Sequence, residues 1–175
     1  SGSAAALNTK TNKIVVFGGW GKGGPPTDSR NDTWNFDGLH WKKVETNFID
    51  KHDHHKMVYA DHINSFVIYG GFNSTSKTFD STTWLLRDDV FTPLVIPGPG
   101  ARGNHGLAYD PVRKKVVLFG AKVYNQPAEL WEFDGQKWDQ VSVGDIGMTT
   151  GHEMVYSQVH EMVIVNGYTG TFGWN

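Results

Sequence analysis

One apolar run recurs four times along the 175 residues, and this repeat constrains the fold more than any other feature. Lys13-Ile-Val-Val-Phe-Gly-Gly19 returns as Ser65-Phe-Val-Ile-Tyr-Gly-Gly71, as Lys115-Val-Val-Leu-Phe-Gly-Ala121 and as Glu161-Met-Val-Ile-Val-Asn-Gly167. The glycines Gly18, Gly70, Gly120 and Gly167 stand 52, 50 and 47 residues apart. Eleven residues before the last three lie Tyr59, Tyr109 and Tyr156, and the same offset from Gly18 reaches Leu7. Downstream of each of the first three glycines comes a Trp segment (Thr33-Trp34, Thr83-Trp84, Leu130-Trp131). An aromatic follows seven residues later: Trp41, Phe91 or Trp138. A period of this length marks one supersecondary unit that cannot bury its apolar surface alone.

Each unit reads as four short strands: A ending near the Tyr, B ending in glycine, C carrying the Trp and D following it. The turns agree, since Asp37-Gly38 and Asp134-Gly135 fall between C and D, where a tight hairpin needs residues that tolerate positive φ. Asp110-Pro111 marks the A–B turn of the third unit. The 21 glycines and the 13% aromatic content suit many short strands better than long helices. Strand B is apolar at consecutive positions, so both of its faces are expected to be buried. A small sheet buried on both faces must lie between similar sheets, and radial stacking of such sheets is a β-propeller. The expected fold is all-β, with units at about 4–46, 53–96, 103–143 and 151–175, the last without its outer strand.

The apolar run ending in Gly-Gly, with a Trp strand and a second aromatic at fixed offsets, resembles the kelch repeat. Units such as His105–Gly120 and Leu130–Trp138 are similar to the bacterial form and to the central domain of galactose oxidase. The resemblance covers nearly the whole chain and implies propeller blades. There are departures: Ala121 replaces a glycine, Phe91 replaces an outer Trp, and Asn166 takes the first-Gly place if Val-Asn-Gly is the fourth triplet. Copper chemistry of the galactose oxidase type needs a Tyr–Cys crosslink, and the chain has no Cys. Disulfides, Cys-ligated metals and thiol nucleophiles are excluded for the same reason.

A formal net charge of −2 argues against a nucleic-acid binder. No 18-residue apolar run and no charged-then-apolar leader is visible, although Ser1-Gly2-Ser3 resembles a cloning remnant. With the lack of Cys, the expected location is cytoplasmic. Gly21-Lys-Gly-Gly24 is not followed by Gly-Lys-Ser/Thr, so a phosphate loop is rejected. No Gly-x-Ser-x-Gly elbow occurs. Asp28, Asp32, Asp80, Asp88, Asp89 and Asp145 read as solvated loop carboxylates.

The histidines are placed more regularly. His55, His105 and His152 each precede the repeat Tyr by four residues, with Ser3 at that place in the first unit. Strand A is the innermost strand in kelch propellers, so the resemblance puts these imidazoles around one mouth of a central channel. They serve there either as an anion or metal site or as packing common to every unit. His52-Asp53-His54-His55 is the densest cluster of metal-capable side chains, but its spacing matches no zinc motif, and no metal and no cofactor is expected. In an extended segment His52 and His54 would share a side. Trp20, Phe72 and Tyr168 follow the glycines at the start of the variable B–C loop, as buried stacking or as an exposed recognition rim.

These residues lead to an expected binding function, not a catalytic one: a module recognising a protein or small ligand with Trp20, Phe72, Tyr168, Arg102, His55, His105 and His152. The alternatives are a carbohydrate-active or isomerase-type enzyme with a channel-mouth site near Arg102 and His105, and a structural piece of a larger propeller protein. Four units are fewer than the six to eight of most kelch rings. The expected partner is a second copy, joined head to tail into an eight-bladed ring. A compact four-bladed ring and a longer chain are the other ways to cover the end faces.

Overall fold

The computed structural model describes residues 2–24, 27–48, 50–122, 126–142, 152–167 and 170–175. In chain order the first strands are β1 (Ala4–Asn8), β2 (Lys13–Phe17), β3 (Thr33–Phe36), β4 (Trp41–Val44), β5 (His52–Asp53) and β6 (Lys56–Ala60). Next come β7 (Ser65–Tyr69), β8 (Phe72–Asn73), β9 (Thr78–Phe79), β10 (Thr83–Arg87), β11 (Val90–Leu94) and β12 (Gly106–Asp110). The last are β13 (Lys115–Gly120), β14 (Glu129–Phe133), β15 (Trp138–Val141), β16 (Glu153–Ser157), β17 (Met162–Gly167) and β18 (Gly170–Trp174). One 3-10 turn, Asp61–Ile63, is the sole helical segment among the described residues. The chain is all-β, as its repeats require.

Sheet I is the meander β1-β2-β3-β4, sheet II is β6-β7-β10-β11, sheet III is β12-β13-β14-β15 and sheet IV is β16-β17-β18. All pairings are antiparallel. A fifth sheet, β5-β8-β9, is too short for the repeat pattern to reveal. It forms because the segment after Gly71 doubles back on His52-Asp53, the approach to sheet II. The C–D hairpins close as expected. Asp37 and Asp134 each accept two backbone N–H groups of their own turns, and Asp88 and Asp89 take positive φ in the second unit.

Register fixes which residues share a face. The face of sheet II toward sheet I carries Met57, Tyr59, Phe66, Ile68, Trp84, Leu86 and Phe91, packed on Ala4, Ala6, Val15 and Phe17. Sheet III repeats this with Leu107, Tyr109, Val116, Leu118, Trp131, Phe133 and Trp138 against Val58, Ala60, Val67 and Tyr69 of sheet II. Sheet IV does so with Met154, Tyr156, Val163, Val165, Phe172 and Trp174 against Ala108, Val117, Phe119 and Leu130. Each sheet thus has an aromatic-rich front that meets the smaller back of the preceding one. Glu132 anchors sheet IV, accepting the Trp174 indole N–H at 2.7 Å and pairing with Arg113 at 2.5 Å. The register also corrects the fourth triplet. Asn166 pairs with Glu153 as Phe17 pairs with Ala4, so Asn166 stands in the aromatic place and Gly167 in the first-Gly place.

Candidate functional site

The first strands of the four sheets, β1, β6, β12 and β16, lie side by side in sequence order. Together they line a cavity of about 760 Å³. The strand starts gather at one end. Lys56 Nζ reaches both carboxylate oxygens of Glu153, at 3.0 and 3.2 Å, across Gly106, the equivalent position of the intervening strand. Ser3, His54, His55, Asn104 and His152 join them there, while Tyr59, Tyr109 and Tyr156 line it farther along the strands.

The three repeat histidines are built into the sheet junctions. The His55 ring lies 4.9 Å from Phe17, His105 lies 5.9 Å from Tyr69 and His152 lies 4.9 Å from Phe119. All three are buried. Each seats on the glycine that ends strand B of the preceding unit. A Cβ on Gly18 would fall 2.9 Å from His55 Cε1, and one on Gly70 would fall 2.6 Å from His105 Cε1. Both glycines also have φ +65°, so two independent constraints select the residue type. Burial, the dominant cause, pushes His55 and His105 down to about 3 and lowers His152, so these rings are neutral at ordinary pH. His55 and His152 border the cavity; His105 is enclosed between sheets II and III.

Arg102 is not at a channel mouth. It is fully buried, paired with Glu129 at 2.6 Å and donating to the carbonyls of Gly120 (2.8 Å), Gly100 and Pro99. A buried guanidinium needs its donors satisfied, and three carbonyls plus a carboxylate do this. Glu129 also accepts the Trp131 indole N–H at 3.0 Å. Burial favours the neutral acid of Glu129, and the Arg102 and Trp131 bonds override it and hold the carboxyl below its ordinary value.

The same device recurs, so the solvated reading of Asp32 and Asp80 gives way. Trp34 donates to Asp32 at 2.8 Å and Trp84 to Asp80 at 3.0 Å. Burial alone would raise Asp80, but hydrogen bonds from His52, Thr82 and Trp84 hold it at about 2. The acid beside each Trp was the signal available in sequence: Asp32, Asp80 and Glu129 stand two to four residues upstream.

Of the loop aromatics, half-buried Trp20 packs its ring edge on His54 at 5.8 Å, and Phe72 meets Phe79 edge-on at 5.6 Å inside the small sheet. Phe72 is therefore a packing residue of the fifth sheet, whereas Trp20 stands beside a cavity residue. Tyr168 lies outside the described residues. The His52–His55 segment does not act as one ligand cluster. The chain turns at His54, φ +56°, which sends His52 to Asp80 (3.2 Å) and His54 to Asp53 (2.6 Å). Among the described residues no three metal-capable side chains converge.

No family model matches the chain, and no curated protein matches it. Among solved structures, that of YjhT matches with a TM-score of 0.72 at 13% identity, over 94% of this chain and 58% of that one. What this likeness shows is the fold. The chain spans little more than half the length of that protein. No helix among the described residues is long and apolar enough to cross a membrane.

Proposed function

We propose that the chain is a binding module built on kelch-type propeller blades, taking a small ligand at the inner-strand cavity. The cavity itself carries this reading. All four inner strands contribute to it, and its strand-start end collects Ser3, His54, Asn104, Lys56, Glu153 and His152. An apolar-walled concavity with a few convergent polar groups is the usual form of a small-molecule site. Trp20 stands behind this end, its ring edge on His54, and does not itself line the cavity. Titrating small uncharged, cationic and anionic compounds while recording backbone amide shifts tests the reading. Saturable shifts confined to β1, β6, β12 and β16 are expected; shifts centred on another face would overturn it.

The partner proposed for the end faces is a second copy. The front of sheet I presents Ala5, Leu7, Ile14, Val16, Trp34, Phe36 and Trp41, the positions that in sheets II to IV cover a neighbour. Leu7 is 46% and Trp41 54% exposed. The back of sheet IV offers Val155, Met162 and Ile164, the kind of surface such a front covers. Sedimentation equilibrium is expected to give twice 19.5 kDa, and a monomer at 19.5 kDa would sink the pairing.

A further inference from the structure

The residue just before each inner-strand histidine place has left-handed backbone: Gly2 at φ +72°, His54 at +56° and Asn104 at +54°. The fourth equivalent in sequence is Gly151, outside the described residues. Glycine and asparagine take this conformation at least cost. An imidazole there costs about 1 kcal/mol or more. Among the described equivalents unit two alone places a ring-bearing side chain here, although Lys77, Lys114 and Glu161 also take positive φ elsewhere in the chain.

The surroundings of His54 fix how its ring is oriented. Nδ1 of His54 lies 2.6 Å from Oδ1 of Asp53. Asp53 is 1% exposed, and its other oxygen accepts Ser29 Oγ at 3.0 Å and lies 3.4 Å from Ser74 Oγ. The single Ser74 proton goes to Ser29 at 2.7 Å, so the longer Ser74–Asp53 approach is a secondary contact. A carboxylate only accepts, so His54 donates through Nδ1–H and its lone pair is placed on Nε2. The His54 side chain is 40% exposed, borders the cavity and makes no other hydrogen bond among the described residues. Gly2 O fixes its backbone by accepting the His54 N–H at 2.9 Å.

A second observation points into the same end of the cavity. His152, which lines that end, is 2% exposed, and like His55 and His105 it has no hydrogen-bond partner on either ring nitrogen among the described residues. A neutral imidazole offers one N–H and one lone pair, the pattern that a hydroxyl complements. Lys56 and Glu153 at this end already neutralise each other. We propose that Nε2 of His54 is the hydrogen-bond acceptor for an uncharged, hydroxyl-bearing small ligand at the strand-start end of the cavity, with Asp53 as its positioning residue. This rests on the binding reading above and names the ligand chemistry of that site.

The test uses myo-inositol as probe, with long-range 1H–15N spectra of the histidine rings and Trp20-weighted fluorescence. The expected wild-type ring carries its proton on Nδ1, and myo-inositol shifts the His54 Nε2 signal saturably. His54→Asn keeps a residue suited to positive φ but removes the acceptor, and it should weaken binding about tenfold, the loss of one hydrogen bond. Asp53→Asn should move the ring proton toward Nε2 and weaken binding similarly. A wild-type Nε2–H ring, or unchanged affinity in His54→Asn, overturns this inference and leaves the cavity reading standing. No shift from myo-inositol at any cavity residue overturns the ligand class assigned here. No shift from any of the compounds titrated above would sink the cavity reading itself.

Discussion

Strands β2 and β7 occupy equivalent places in the repeat, with the same apolar pattern, and have opposite environments. All five residues of β7 are buried, whereas β2 buries only Val15 and Phe17. The difference lies in the neighbours. Sheet II is covered by sheet I on one face and by sheet III on the other, while the front of sheet I packs against no other sheet among the described residues. The apolar pattern of β2 is thus written for a covered face, and no described residue covers it. Ile14, Val16 and Trp34 match Phe66, Ile68 and Trp84 position for position. Exposed apolar patches of this kind mark interaction surfaces.

The largest contrast is expected from core truncation on either side of this comparison. Leu118→Ala in sheet III removes a fully buried side chain between sheets II and III. It should cost about 3–5 kcal/mol in urea unfolding. Ile14→Ala on the free front, 36% exposed, should cost less than about 1 kcal/mol in the monomer. A large, concentration-dependent loss in Ile14→Ala would show that the front is covered after all, by a second copy. Equal losses for the two variants in a monomer would break the comparison.

How much of this was legible in the sequence follows from what the repeat encodes. The B strands, the Trp strands and their hairpins are local patterns with fixed offsets, so their number and order could be read directly. The fifth sheet could not, because β5, β8 and β9 are two-residue strands without periodicity. The regular spacing of His55, His105 and His152 was visible, but not its cause, since the partner glycine sits in the preceding unit, some 35 residues back. Arg102 was misplaced because a lone Arg beside glycines carries no sign of burial; its carboxylate, Glu129, is 27 residues away. His54 was overlooked as an individual residue, yet the sequence held a signal. Gly2, Asn104 and Gly151 at its equivalents predict a left-handed turn that a histidine would resist.

The junctions between sheets offer the next contrast. Arg102→Ala takes the ion-pair partner from Glu129 and frees the carbonyls of Pro99, Gly100 and Gly120 inside the II–III junction. A loss of about 3 kcal/mol is expected, chiefly from the carbonyls left without a donor, since Glu129 is 28% exposed and keeps its Trp131 bond. The exposed Arg30–Asp28 pair in the loop of sheet I should change stability by no more than about 0.5 kcal/mol when Arg30→Ala is made. Similar effects in the two variants would mean that Arg102 is as hydrated as Arg30, contrary to its burial.

Acid should act through the same junctions. His55 and His105 have folded values near 3 against an ordinary 6.5, both from burial first. Between those limits the unfolded chain binds protons that the folded chain refuses, so stability is greatest above about 6.5 and falls with pH down toward 3. Each histidine contributes a slope of up to about 1.4 kcal/mol per pH unit in that window. Asp80, held at about 2 in the fold against 3.8, adds its own loss only below about 4, as it becomes protonated in the unfolded chain first. Urea midpoints measured from neutral to pH 4 should therefore decline before any carboxylate pair is titrated. A flat profile down to pH 5 would show that the junction histidines exchange protons with solvent.

The smallest expected effect lies at the cavity rim, where sheets II and IV meet over sheet III through Lys56 and Glu153. Glu153 is 82% and Lys56 30% exposed, so water screens the pair. Pairs of this kind contribute about 0–1 kcal/mol, and less as salt is added. Glu153→Gln should therefore shift stability by no more than about 0.5 kcal/mol, and the shift should vanish in high salt. Lys56 then keeps its charge without a carboxylate partner beside His54 and His152, and the cavity end gains one unit of positive charge. If an uncharged ligand is what this end accepts, the variant should retain its affinity for myo-inositol and gain affinity for anionic probes. A loss of several kcal/mol would instead make the Lys56–Glu153 contact a structural tie across sheet III, with a weight comparable to the buried Arg102 pair.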